Sequence, residues 1–373
     1  MSARIRVLQV VQNLNYGGME RLIGELLVRL DPEGFDPHLM VLDYVGRFGQ
    51  NLPSRVALHQ PPALSKWSMV WPRRLTADIA AIAPDIVHTH GGLWYKASLA
   101  ARLAGVPRVV HTDHGRLTPD PWRSRRLHRM ASRRTDAVIA VSRPLADYLA
   151  ARVVAYPSRL STIVNGVDLD AWRPCPDNGV LRQELGLAAN VPILGSIGRL
   201  EPIKGYGVMV EAYARLRSAW RGPGPVPALV VGGDGPDRAR LLELGRQRGL
   251  DGLFLLGWRD DVHAFHAAFT LFTMSSRSEG TSVSLLEAMS AGLCPVVTEV
   301  GGNREVLGPE LGHRLVAPEN PAALAEAWAN ALADRSGLER DAQAARRRVE
   351  AEFSLDAMVR AYERLYRSLM GAG

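Results

Sequence analysis

Lysine and cysteine are nearly missing from this chain: three lysines stand against 42 arginines, and 373 residues contain two cysteines. Cys175 and Cys294 cannot build a disulfide framework and have no metal-ligand spacing. No stretch approaches the roughly 18 uninterrupted apolar residues of a membrane-spanning helix. The apolar run within residues 1–14 is too short for a secretory leader and continues into Gly17-Gly18, so it reads as a strand. Also lacking are the G-x-G-x-x-G dinucleotide fingerprint and the Walker phosphate loop. No internal repeat or low-complexity tract appears. These absences point to a cytosolic globular protein whose only membrane contact would be peripheral, at the inner face.

What is present is a large apolar fraction, 47%, and a net charge of +7. The charge is uneven: residues 1–177 carry +8 and residues 178–373 carry −1. A basic half can attract phosphates, anionic lipid or nucleic acid. A soluble, arginine-rich domain explains it equally well. The excess peaks at Asp120–Arg134, DPWRSRRLHRMASRR, with six arginines beside Trp122. That segment reads either as a solvated arginine face or as a surface helix meeting anionic lipid headgroups. Nucleic acid is not expected, because aromatics do not interleave with the basic residues.

Short β-branched runs alternate with helical patterns along the whole chain, the signature of parallel sheets built from βαβ units. Strands are predicted at 5–11, 37–42, 86–88, 108–111, 137–141 and 161–164. A second series is predicted at 193–197, 228–231, 253–256, 271–273, 294–297 and 313–315. Helices are predicted between them, for example at 20–30, 74–82 and 95–103. Residues 168–192 have a linker composition. The domains are expected at 1–170 and 193–353, with 171–192 between them. The tail predicts helices at 320–333, 338–353 and 356–369. The last collects Met358, Val359, Tyr362, Leu365, Tyr366 and Leu369 on one face, and 354–373 is expected to return to the first domain.

The most informative stretch is 275–292, SSRSEGTSVSLLEAMSAG. It predicts a strand end, a polar loop and a helix. Thr281 or Ser282 would cap that helix, and its free amides and positive dipole end would form an anion site. Glu279 would precede the helix. Glu287 would follow in its second turn, about 8 Å along the axis for five residues. An acid, a phosphate-sized hole and a second acid match a sugar nucleotide.

Other strand ends carry related chemistry. Gly198-Arg199…Lys204-Gly205 places two cations in a loop, a clamp for a diphosphate. Gly17-Gly18 before a helix lets backbone approach an anion, or is a tight turn and nothing more. His88-Thr89-His90 and His111-Thr112-Asp113-His114 put four histidines at adjacent strand ends. Asp113 is the only carboxylate among them, so no metal is expected. A strand-end histidine beside a cleft could hydrogen-bond a sugar hydroxyl or a leaving phosphate. Asp168-Leu169-Asp170 has the D-x-D form that can hold a divalent metal, but at a domain junction it reads as linker capping.

Together these pieces resemble the retaining glycosyltransferases of family 4, the group 1 transferases of GT-B fold, over nearly the whole chain. Glu279-x7-Glu287 carries the likeness furthest, followed by the Arg199/Lys204 clamp. Val164-Asn165-Gly166-Val167-Asp168, Gly232-Gly233-Asp234-Gly235 and Val300-Gly301-Gly302 support it. Gly17-Gly18-x-Glu20 with Asp113-His114-Gly115-Arg116 is similar to transferases encoded with bacterial exopolysaccharide and PEP-CTERM/exosortase systems.

The resemblance implies an α/β architecture of two Rossmann-like domains facing a cleft. It implies a nucleotide sugar, UDP- or GDP-linked, as donor, a glycan or lipid-linked acceptor, and no cofactor or metal. Arg199 and Lys204 would neutralise the diphosphate, aided by amides around Gly280, Thr281, Ser282 and Val283. Gly17 and Gly18 would lie near the diphosphate and acceptor. Glu287 would accept from ribose hydroxyls, and Glu279 would hold the transferred sugar. His114, or else His111, would contact the sugar near the reacting carbon. Retention would proceed by attack on the leaving-group face, with the departing phosphate taking the acceptor proton. A sugar-nucleotide epimerase or hydrolase, a nicotinamide-dependent dehydrogenase and a non-catalytic sugar-nucleotide sensor are the competing readings.

Overall fold

The computed structural model describes residues 4–14, 17–46, 49, 52–62, 71–116 and 120–371. The chain divides into two units. Unit 1 comprises Met1–Gly166 with Leu355–Gly373, and unit 2 comprises Val167–Ser354.

Unit 1 is built on seven parallel strands: β1 Ile5–Val11, β2 Phe35–Val41, β3 Ala57–His59, β4 Ile86–His90, β5 Arg108–Asp113, β6 Ala137–Ala140 and β7 Leu160–Thr162. Their order is β3-β2-β1-β4-β5-β6-β7. Unit 2 has six: β8 Ile193–Ile197, β9 Ala228–Gly232, β10 Leu253–Leu255, β11 Leu271–Met274, β12 Pro295–Thr298 and β13 Leu315–Val316, ordered β10-β9-β8-β11-β12-β13. The central strands are buried on both faces, which is why they read as continuous apolar runs rather than alternating ones. Both sheets are doubly wound, the Rossmann-like architecture expected. In each, strand order reverses once, between β1 and β4 and between β8 and β11. Ligands of open α/β sheets bind beyond the carboxyl ends of the strands at such a reversal.

The three-residue edge strand β3 is not apparent in the sequence. The strand predicted at 313–315 is a 3-10 turn, Gly312–Arg314, followed by β13. Arg314 is held there by an ion pair to Asp341 at 2.6 Å. Within 171–192 a short helix forms at Val180–Glu184, and this segment clusters with unit 2.

The last helix, Leu355–Leu369, buries Leu355, Met358, Val359, Tyr362 and Tyr366 in unit 1. Tyr366 meets Phe35 edge to face at 6.0 Å. Arg367 pairs with Asp31 at 2.8 Å, and Glu363 accepts from the Asp31 amide at 2.7 Å. Ser354, just before this helix, forms a parallel bridge with Val167, so the two chain crossings lie side by side.

Candidate active site at the sheet reversals

In unit 2 the loops after β8 and β11 leave neighbouring strands and are tied to each other. Ser275 Oγ donates to the carbonyls of Lys204 (3.2 Å) and Gly205 (3.0 Å), and the Arg277 amide donates to the Ile203 carbonyl at 2.8 Å. Gly205 adopts φ +65°, and a Cβ there would run into the Ser275 carbonyl. Gly301 adopts φ +51° and would likewise strike the Glu279 carbonyl. Only glycine permits both the left-handed backbone and the close approach. The Gly302 amide then donates to the Gly280 carbonyl at 2.8 Å. The loop bearing Glu279 is thus clamped by both glycine motifs.

This clamping joins the two charges that the sequence leaves apart. Lys204 Nζ donates to Glu279 Oε1 at 2.7 Å, with the lysine side chain 22% and the glutamate side chain 8% exposed. Ser276 Oγ donates to the same oxygen at 2.6 Å. Arg199 stands more open, its side chain 55% exposed and 3.2 Å from Glu201. Tyr206, buried behind this loop, limits Gly198: a Cβ there would come within 2.9 Å of the tyrosine hydroxyl.

The helix after Glu279 spans Val283–Ser290, with Leu285, Leu286, Ala288 and Met289 fully buried. Ser282 is its N-cap residue, in extended conformation, but the expected side-chain cap is not made. Its hydroxyl instead reaches Met274 Sδ at 3.5 Å and Ser284 Oγ at 3.2 Å. The Ser282 hydroxyl therefore does not occupy the first-turn amides, which lie at the positive end of the helix dipole. Thr281 is buried beside it, and Glu287, in the second turn, is 6% exposed.

In unit 1, Gly17 precedes the helix Gly18–Arg29. A Cβ at Gly17 would strike the buried Glu20 carboxylate, which folds back beneath it. Asn15 and Tyr16, which precede Gly17 in the sequence, lie outside the described residues. The four histidines gather at the ends of β4 and β5, but not as a metal set. Among the described residues, no three His, Cys, Asp or Glu side chains group as a cation site. His111 is fully buried, stacked on Trp94 with ring centroids 4.0 Å apart. His114 lies just past β5, half-buried, its Nε2 3.0 Å from His90 Nδ1. Burial pushes the His114 pKa down to about 4 and that of His88 to about 3, and holds His90 and His111 well below the usual range. Asp113 turns to Arg116 at 2.5 Å, and Arg116 also binds Asp120 at 2.6 Å and His128 at 2.8 Å.

The arginine-rich segment is a helix, Trp122–Ser132, anchored through His128 and the buried Ala131 and Ser132. Its outer surface exposes Trp122 and Met130, with the Arg123 and Arg126 guanidinium groups each 5.4 Å from the Trp122 ring centroid. Asp168 Oδ1 accepts from the Asp170 and Ala171 amides at 3.1 and 2.9 Å, the capping turn anticipated from sequence. No described helix is long and apolar enough to cross a membrane.

Several site residues escape sequence reading. Ser276 looks like any loop serine. Gln9, fully buried in the apolar strand IRVLQVV, carries the one visible signal: a polar residue where the pattern demands an apolar one. Its partners, His90 and Tyr366, are 81 and 357 positions away.

Two doubly wound sheets, with reversals at β1/β4 and β8/β11, are an architecture this chain shares with the GT-B glycosyltransferases. Residues 16–171 match the Glycosyltransferase Family 4 model, and residues 177–348 match Glycosyl transferases group 1. An alpha-maltose-1-phosphate synthase of Mycobacterium tuberculosis is 31% identical over 316 residues, covering 75% of this chain and 79% of the relative. The chain belongs to this glycosyltransferase family. A UDP-Gal:alpha-D-GlcNAc-diphosphoundecaprenol alpha-1,3-galactosyltransferase of Escherichia coli is 33% identical over 230 residues, 59% of either chain. The matched region thus spans less than two thirds of that relative. In fold, the chain is similar to Anabaena Alr3699/HepE, solved with UDP and glucose. The TM-score is 0.85 at 21% identity, covering 98% of this chain and all of the other.

Proposed function

We propose that the protein transfers a glycosyl group from a nucleotide sugar to a glycan or lipid-linked acceptor, with retention at the anomeric carbon. The observation that carries this reading is the Lys204–Glu279 pair, held 2.7 Å apart at the β8/β11 reversal beside the helix start at Val283. A diphosphate there would meet Lys204, Arg199 and the amides from Gly280 to Val283. Glu287 would accept from the ribose hydroxyls and Glu279 would orient the transferred sugar. As the donor bond breaks, negative charge grows on the diphosphate, so the two cations do most of their work in the transition state. The acceptor hydroxyl attacks on the face the diphosphate leaves, and the departing phosphate oxygen takes its proton. Both glutamates are engaged in binding, which argues against a double-displacement route through a carboxylate.

A UDP-sugar is the first donor to test, because the Anabaena structure was solved with UDP and glucose. On unit 1, Gly17 and Gly18 would serve the phosphates or acceptor, and His114 the reacting sugar. A lipid-linked acceptor agrees with the diphosphoundecaprenol named for the Escherichia coli relative and with the exposed Trp122–arginine surface, which would rest on anionic lipid. Exopolysaccharide or cell-surface glycan synthesis is the role we infer. The test is release of nucleoside diphosphate from a UDP-sugar with and without added polyprenyl-diphosphate-linked sugar. Release that requires the acceptor supports transfer. Equal release without it would mean hydrolysis, and a changed sugar with no release would mean epimerisation.

A further inference from the structure

Three of the four strand-end histidines of unit 1, His88, His90 and His114, are linked to one another, while His111 pairs separately with Thr89. A continuous hydrogen-bond chain runs from His114 to the last helix. His114 Nε2 lies 3.0 Å from His90 Nδ1, and His90 Nε2 lies 2.6 Å from Gln9 Oε1. Gln9 Nε2 donates to the Tyr366 hydroxyl at 3.0 Å. That hydroxyl lies 2.7 Å from His88 Nδ1, and His88 Nε2 lies 2.8 Å from Thr112 Oγ1. Thr112 Oγ1 is 3.1 Å from the Tyr362 hydroxyl. Gln9, His88, Thr112 and Tyr366 are fully buried, and His90 and Tyr362 nearly so. Shielded from bulk solvent and already within hydrogen-bond distance of one another, these groups must have interlocking donor and acceptor roles.

The direction of the chain follows from the Gln9 amide. Its NH2 group faces Tyr366, so its oxygen faces His90 and can only accept. His90 therefore carries its proton on Nε2, and its Nδ1 is a lone pair. His114 must donate to that lone pair from its own Nε2. A neutral imidazole has one N–H, so His114 Nδ1 is left bare. Nδ1 is itself a buried atom with no hydrogen-bond partner among the described residues. Beyond Gln9 the polarity continues in the same sense. Tyr366 donates to His88 Nδ1, and His88 Nε2–H donates to Thr112.

We propose that Gln9, His90 and Tyr366 are positioning residues that fix His114 as a pure hydrogen-bond acceptor at Nδ1, so that it can accept a hydrogen bond from a hydroxyl but never donate one. The final helix thereby sets the tautomer of a residue more than 250 positions away. Burial keeps both rings uncharged, consistent with this arrangement. The complement of a buried bare nitrogen is a hydroxyl. If His114 meets the reacting sugar, as the proposed function has it, it orients that sugar by accepting from one of its hydroxyls. The tautomer inference itself does not depend on that function.

The test is 15N NMR of the histidine rings in the full-length protein, with His114 assigned by the signal lost in His114→Gln. The wild type is expected to show a neutral ring with Nδ1 unprotonated. In Tyr366→Phe, Gln9 loses its acceptor and nothing fixes the amide, so the His114 signals should move toward a mixture of tautomers. The kcat with a UDP-sugar should fall roughly 10- to 100-fold, with the donor KM unchanged. Tyr362→Phe, which removes a hydroxyl from the same helix but leaves Gln9 held, should leave the His114 signals in place. A purely structural role for the two tyrosines would move both variants alike. A protonated Nδ1 in the wild type, or His114 signals unmoved by Tyr366→Phe, would overturn the proposal. Absence of any sugar-nucleotide turnover by the wild type would sink the transferase reading instead, and the ring spectra would still decide the tautomer.

Discussion

Lys204 Nζ donates to Glu279 Oε1 at 2.7 Å, so the cation assigned to the diphosphate and the acid assigned to the sugar form a single unit across 75 positions of sequence. Removing either leaves the other partly buried without its counterion. Lys204→Ala should therefore cost about 1–3 kcal/mol of unit 2 stability, the usual cost of an unpaired buried polar group. It should also lower kcat about 10²–10³-fold, as loss of one oxyanion-type donor does. Urea denaturation and steady-state kinetics measure the two effects. In a double-mutant cycle, Lys204→Ala with Glu279→Ala should be far from additive. Additive effects would mean the two side chains act separately.

Glu287→Ala should weaken donor binding without changing the fold, because the helix Val283–Ser290 keeps its apolar face. Losing charge-assisted hydrogen bonds to two ribose hydroxyls should raise the donor Kd by roughly tenfold or more. Calorimetric titration decides, and an unchanged Kd would remove Glu287 from the ribose role.

Gly301→Ala tests the backbone that carries Glu279. A side chain at φ +51° costs about 1–2 kcal/mol, and its Cβ would also meet the Glu279 carbonyl. The loop must then shift, so donor affinity should fall together with stability. A variant that lost stability but bound donor normally would separate the loop from the site.

Acidification should destabilise unit 1. His88, His90 and His111 are buried, and burial holds the pKa of each below the usual histidine value of about 6.5, to about 3 for His88. Below pH 6.5 the unfolded chain takes up protons that the folded unit refuses, so stability falls as pH falls through this window. The slope approaches about 1.4 kcal/mol per pH unit for each such histidine. Urea midpoints of unit 1, followed by hydrogen exchange of the amides in β4 and β5, should drop between pH 7 and pH 5. A flat profile would mean that these rings titrate normally.

Much of this protein is legible in its sequence because the signals are local. Strands buried on both faces are apolar throughout, the final helix shows its stripe through Met358, Tyr362 and Tyr366, and Glu279-x7-Glu287 lies within one loop and helix. What could not be read depends on distant parts of the chain meeting. The Lys204–Glu279 pair, the Ser276 contact and the chain through Gln9 to Tyr366 exist only once the sheets are ordered. The missing cap at Ser282 has a different cause. Serine at a helix start predicts a cap, but here Met274 and Ser284 take the hydroxyl.

If the β8/β11 loops hold a nucleotide sugar, Lys204 is the side chain that binding depends on most. Melting temperatures of the wild type and Lys204→Ala, recorded with UDP-, GDP-, ADP- and dTDP-sugars, test it directly, since a bound donor stabilises the folded state by mass action. At least one donor is expected to raise the wild-type Tm, and most of this rise is expected to disappear in Lys204→Ala. No rise with any donor, or an equal rise in both proteins, would contradict it.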